Sequence, residues 1–431
     1  MPDSTQAQEY ISQAQALSSA DKYDEALAYY AKAEAEDPML PEIYFGQGEC
    51  LVMLDHYDEA KAVFGKVQLI DPQNGETYFH LGNVAMLEGQ FDEGKKLYGK
   101  ATAAGFDNTQ IYVNLASVYE EAGDLENAIR QYTLAIAKDP YFAPARIRKT
   151  ELLILQDKKA EALQNAQTLM ENHPDLFDGY HYSFLLLLEA GKTAEAGELI
   201  EHSISIFPED KGFVFDKARY LSAIGKDDEA LAILDDLIAT EPALQAGVSR
   251  EKIRILLSQE KLAESQIELE RVLADEFDSE LCFFLLNIYY QQNEFTKTLE
   301  CCEKLAQADG QDTYYYSGLY YKALCLKELE KLPEAAEAFK TAVDEMRSEC
   351  IANPGALDLF IMRALCYKEL KQYDRALEMV QYVLDLAPDA GEAYLIRSEI
   401  YRETGEEEKA EADKRTAASK SKLLGDLMTG L

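Results

Sequence analysis

The sequence predicts an all-α solenoid, in which helix hairpins of one repeating length stack through nearly the whole chain. Three observations predict it. Prolines recur at 38, 72, 140, 174, 208 and 242, a spacing of 34 residues with one slot skipped, where Phe106 stands. A small residue opens the second helix of every unit: Ala26, Ala60, Gly94, Ala128, Ala162, Ala196, Ala230, Ser265, Thr298, Ala335, Ala376 and Ala410. The turn between the helices carries Gly89, Gly123, Gly191, Gly225 and Gly405, with Asp21, Asp55 and Asp157 taking the same place in other units.

The stretch 114–140, "NLASVYEEAGDLENAIRQYTLAIAKDP", contains each device once. Its first helix stops at Gly123, because a helix C-terminus favours a left-handed residue there. The second helix opens on Ala128, since two helices approach to the close end of the roughly 8–10 Å range only when no long side chain stands between them. Ala14, Gly48, Gly82, Ala116 and Ala218 are expected opposite this column. Four residues further on, Tyr30, Phe64, Tyr98, Tyr132, Ile200, Leu234 and Phe339 form a bulky column expected to fill the space between hairpins. Pro140 then ends the second helix, because it donates no hydrogen bond and disfavours helix in the residue before it. The next hairpin can begin there, and twelve small residues predict about twelve hairpins.

The period loosens towards the C-terminus. From Ala230 to Ala410 the steps are 35, 33, 37, 41 and 34 residues. The first excess falls around 306–314. The second falls around 344–355, where the second helix is expected to run on for about two extra turns. This divides the chain into a regular array over 1–309 and a less regular one over 310–431, whose long connections are tolerated variation or a hinge or contact element. Lys414 stands where a large apolar residue normally packs, and "SKLLGDLMTGL" puts Leu423, Leu424, Leu427, Met428 and Leu431 on one helical face. That face is expected to cap the last hairpin rather than to anchor in a membrane.

Numbered from Thr109, one unit reads Tyr112, Leu115, Ala116 and Tyr119 on its first helix, Ala128, Tyr132 and Ala135 on its second, and Pro140 at its close. This resembles the tetratricopeptide repeat, with Tyr in place of the usual Trp. The resemblance covers nearly the whole chain. It implies a right-handed superhelix whose first helices line a concave groove, and a scaffold that holds a peptide or partner domain there without catalysis.

Composition narrows the partners. With 79 acidic residues against 42 Lys and Arg, the formal charge is −37, which opposes nucleic-acid phosphates and anionic lipid surfaces alike. The deficit is uneven: residues 1–50 carry ten acids and two bases, residues 101–150 six acids and five bases. The first twelve residues have no positive, then apolar, signal pattern, and no run approaches the roughly 18 apolar residues of a membrane span. Seven cysteines without CxxC spacing suit a reducing compartment, and a cytoplasmic protein is expected. Adjacent Cys301 and Cys302 read as small apolar residues on a buried helix face.

No enzyme is expected. The sequence lacks GxxxxGK[ST], HExxH and GxSxG strings, and its five histidines are never three or four residues apart, so neither a cofactor nor a metal is predicted.

The family register implies which side chains face the groove: Phe45 in the second unit, Phe79, His80 and Asn83 in the third, Asn114 in the fourth and Arg148 in the fifth. Relatives that clamp a C-terminal carboxylate use two Lys, two Asn and one Arg over three units. This chain has Asn83, Asn114 and Arg148 at three of those places and Phe79 and Pro144 at the lysine places, so the carboxylate set is incomplete. An Asn amide still pairs with an extended backbone, and an Arg fork with a carboxylate. "RIRK" at 146–149 is a dense basic run, in which Arg146 and Lys149 fall on packed columns and can snorkel. Tyr182, Arg219, Tyr320 and Tyr321 are expected to project from first helices further along. The resulting expectation is a protein or peptide partner, with basic segments favoured by the acidic surface. The alternative is a structural, self-assembling protein or a non-catalytic subunit of a larger complex.

Overall fold

The structure, a computed structural model, describes residues 4–308 and 313–420 of the 431-residue chain. The described residues form 24 α-helices and one short 3-10 helix, Pro242–Leu244, with no strand among them. The chain divides into two compact units, Met1–Lys226 and Asp227–Leu431. The expected division at 309/310 falls on residues 309–312, which lie outside the described residues.

First helices are mostly 13 residues long and second helices mostly 14, as in Pro41–Met53 and Tyr57–Ile70. Each of the six periodic prolines stands two residues past the last residue of a second helix, behind a residue in a non-helical conformation such as Asp37 or Asp139. Turn chemistry follows the sequence closely. Gly89, Gly123, Gly191, Gly225 and Gly405 have positive φ, as do Asp21, Asp55 and Asp157; Glu260, Asn293, Glu330 and Lys371 take the same conformation in later units.

All twelve small-column residues are buried. The bulky column is buried too, but its seat differs from the expectation. A Cβ added to Gly48 would lie 2.2 Å from Phe64, and one added to Gly82 would lie 2.7 Å from Tyr98. These rings therefore press on the glycine of their own hairpin, rather than filling only the space between hairpins. The two irregular places are helical extensions: Thr313–Glu328 has 16 residues, and Leu332–Ala352 has 21. Lys414 is exposed on Glu407–Ala417, and the apolar face at 423–431 lies outside the described residues. All seven cysteines are buried and unpaired.

Candidate functional site

Three successive first helices carry the predicted polar residues: Gly75–Leu87 with Asn83, Thr109–Glu121 with Asn114, and Ala143–Leu155 with Arg148. The first two start at fixed points because Asn74 Oδ1 accepts from Thr77 N at 2.9 Å and Asn108 Oδ1 from Ile111 N at 3.1 Å, each satisfying a free helix-end donor.

The structure joins Asn83 to Asn114. Asn114 Nδ2 donates to Asn83 Oδ1 at 2.8 Å and to Tyr98 Oη at 2.9 Å, while Tyr98 Oη donates to Asn83 Oδ1 at 2.7 Å. Gln110 Nε2 closes the group by donating to Asn114 Oδ1 at 2.7 Å. Burial pushes the Tyr98 hydroxyl up to about 12, so it remains a donor at neutral pH. Both asparagines are half-buried. Among the described residues Asn83 Nδ2 donates no hydrogen bond, and only its Oδ1 is engaged.

Arg148 is bracketed rather than open. Its guanidinium donates to Glu120 and to Glu151, and those hydrogen bonds, Glu120 first, hold it firmly protonated. Each carboxylate is fixed in turn: Tyr132 Oη donates to Glu120 Oε1 at 2.6 Å, and Tyr182 Oη to Glu151 Oε1 at 2.7 Å. Glu120 and Glu151 were not singled out in the sequence, although they stand at the twelfth and ninth positions of their units. Their signal was available in the register. With two carboxylates around one guanidinium, the local charge is net negative, and an incoming carboxylate would have to displace one of them.

Phe45, Phe79 and His80 belong more to the packing than to an open face. His80 is 8% exposed, and its ring stacks against Phe45 at 5.1 Å and Phe64 at 5.0 Å. Burial lowers its pKa to about 4, although Glu49 and Glu76 approach Nε2 at 3.9 and 4.0 Å. Phe79 is buried against Tyr98, Ala101 and Ile111, and Phe45 is half-buried. Tyr320 and Tyr321 are also buried, a correction to the expectation that they project. Arg219 lies 4.3 Å from the Phe215 ring, and Arg146 reaches Pro140 O and Asn165. What does stand open is the last residue of three first helices, Met53, Leu87 and Leu155, at 60%, 57% and 70% exposure.

Among the described residues no group of three or more His, Cys, Asp or Glu side chains is arranged to hold a metal ion. No described helix is long and apolar enough to cross a membrane.

Two family models, both described as tetratricopeptide repeat, match residues 17–82 and 187–247 and residues 79–141 and 361–421, together more than half of the chain. No curated protein matches. Among solved structures, YrrB, a TPR protein with an unusual peptide-binding site, is 21% identical over 44% of this chain and 97% of its own, with a TM-score of 0.34. A tetratricopeptide repeat protein from Parabacteroides merdae is 18% identical over 65% and 98%, with a TM-score of 0.39. The APC/C hetero-tetramer Cut9-Hcn1 is 13% identical over 97% and 94%, with a TM-score of 0.42.

Proposed function

The chain belongs to the tetratricopeptide repeat family, and from that premise we propose that it is a non-catalytic interaction scaffold whose first helices between residues 75 and 189 hold an extended segment of a protein partner. The observation that carries this reading is a polar row on three successive first helices, in which Asn83 and Asn114 form one hydrogen-bonded group and Glu120, Arg148 and Glu151 form another. Such a row offers one free amide donor and several carboxylate acceptors at a spacing set by the repeat. An extended backbone supplies the matching carbonyls and N–H groups.

The charge supports a basic partner segment. Arg148 is already neutralised by its own carboxylates, and the chain as a whole carries −37. Long-range attraction would then speed encounter with cationic segments and weaken as salt rises. Seven unpaired buried thiols suit a reducing compartment, and we place the protein in the cytoplasm on that ground.

The test is co-purification from native lysate with wild type and with the variant Asn83→Ala, Asn114→Ala, Arg148→Ala, at low and high salt. A partner held by wild type, lost by the folded variant and weakened by salt is the expected result. Equal retention by both forms would remove the site from this row. Recovery of the chain alone, together with concentration-dependent sedimentation, would favour self-assembly.

A further inference from the structure

The second unit contains a cationic cleft. It is a space of about 460 Å³ between Leu332–Ala352, Leu357–Glu369 and Tyr373–Leu386. Four cations line it, Lys340, Arg347, Arg363 and Arg375, against two carboxylates, Asp344 and Glu378. In a chain with a formal charge of −37, a lining whose own side chains carry two more positive than negative charges is anomalous, even with Lys340 also paired to Glu337 at 3.4 Å.

Arg363 makes the anomaly chemical. It is 8% exposed, and its Nε is enclosed without a hydrogen-bond acceptor. Among the described residues no carboxylate lies in ion-pair range of Arg363 or of Arg347. Its contacts are the Tyr367 ring, 5.9 Å from the guanidinium carbon, and the thiol of Cys350, which burial keeps neutral. A guanidinium cannot shed its proton, and an enclosed charge without a counter-charge is strongly disfavoured.

The neighbouring hairpin shows how the same position is normally satisfied. Arg363 and Arg397 are each the seventh residue of their helices, Leu357–Glu369 and Gly391–Glu403. Arg397 forks onto Asp413, with Nε to Oδ2 at 2.6 Å and Nη2 to Oδ1 at 2.9 Å, and donates to Gln381 at 3.2 Å. Both partners stand 16 residues away, one on each side. The corresponding residues for Arg363 are Met379 and Arg347, and both line the cleft. An acidic partner is thus replaced by an apolar residue and a polar one by a further cation. Arg347 lies in the part of Leu332–Ala352 that exceeds the usual 14-residue length, so the irregular repeat is what supplies it.

We infer that this cleft binds a phosphate-type oxyanion, with the fork of Arg363 at its floor and Arg347, Arg375 and Lys340 at its rim. A phosphate monoester carries about −1.5 to −2 charges at neutral pH and matches the Arg fork in a bidentate manner, which suits a surplus of two cations. The group can come from free phosphate or from a phosphorylated segment of a partner.

The full chain is titrated calorimetrically with inorganic phosphate at constant ionic strength, alongside Arg363→Gln and the rim variant Arg347→Ala, Arg375→Ala. Wild type should bind saturably, and each variant should bind about tenfold more weakly or not at all. Phosphate should also raise the melting temperature of wild type but not of the variants, since only a ligand bound to the folded state stabilises it. No saturable binding by wild type overturns the inference, as does equal binding by wild type and the rim variant, whose exposed substitutions leave the packing intact if Arg363→Gln does not fold. A phosphoserine peptide blocked at both ends, set against its unphosphorylated twin, distinguishes the sources. Tighter binding than inorganic phosphate identifies a phosphorylated partner segment, and weaker binding identifies free phosphate.

Discussion

Each unit of this protein encloses a basic side chain, His80 with carboxylates at 3.9 and 4.0 Å and Arg363 with none in ion-pair range among the described residues, and the two meet burial by different means. His80 in the first unit is pressed between Phe45 and Phe64, and Arg363 in the second lies under the rim of a cleft. Histidine can meet burial by giving up its proton, and its pKa falls to about 4. Arginine has no such exit. A buried histidine is therefore compatible with plain packing, whereas a buried arginine requires an acid nearby, as Asp413 serves Arg397, or an anion from outside.

The largest expected effect tests that contrast by imitation. Asp413→Ala would leave Arg397, like Arg363, without a carboxylate, although it would keep its hydrogen bond to Gln381 and has no rim cations to gather an anion. Breaking such a largely buried pair should cost about 3–5 kcal/mol. Denaturant unfolding measures it, and a loss below 1 kcal/mol would mean that an enclosed guanidinium is tolerated here without a partner.

Next is the pH dependence of the first unit. Between the ordinary histidine pKa of 6.5 and the lowered value of about 4, the unfolded chain takes up a proton that folded His80 refuses. Stability should thus fall as pH drops through this window, by up to an amount on the order of 3 kcal/mol. Burial raises the pKa of nearby Glu49 and Glu76, which acts in the opposite direction and reduces the slope. His80→Phe keeps the ring stack and should flatten the melting temperature between pH 7 and pH 5. An unchanged slope would place its origin elsewhere.

A smaller effect tests the frame that holds both residues. Ala128 is fully buried in the small column, and Ala128→Leu should overpack its hairpin by roughly 1–3 kcal/mol. An unchanged melting temperature would count against the register from which every position here is assigned.

That register was legible because repetition turns weak local signals into columns. One small residue says little, but twelve in phase fix where two helices touch, and Asp21, Asp55 and Asp157 could be read as left-handed only because glycine fills their place elsewhere. The site was less legible. Family positions say which residues start on the inner side of a helix, not how far their side chains are covered, so Phe79 and His80 were assigned to an open face although they are buried. Nor does position reveal pairing. Arg148 looked available because Glu120 stands 28 residues away in sequence, and Arg363 was not singled out at all because the lack of a partner is a property of three helices together.

The smallest effect on stability gives the sharpest comparison of the two arginines. Glu120→Gln with Glu151→Gln would keep acceptors for Tyr132 and Tyr182 while removing both charges from Arg148, at a cost within about 1 kcal/mol because the guanidinium is half-exposed. Arg148 would then resemble Arg363, a cation without an anion. A peptide ending in a free carboxylate should bind this variant about tenfold more tightly than its amidated twin, the size expected for a charge-assisted hydrogen bond. Wild type, with its own carboxylates in place, should not distinguish the two peptides. If the variant does not distinguish them either, Arg148 does not face the ligand, and the row that begins at Asn83 ends before it.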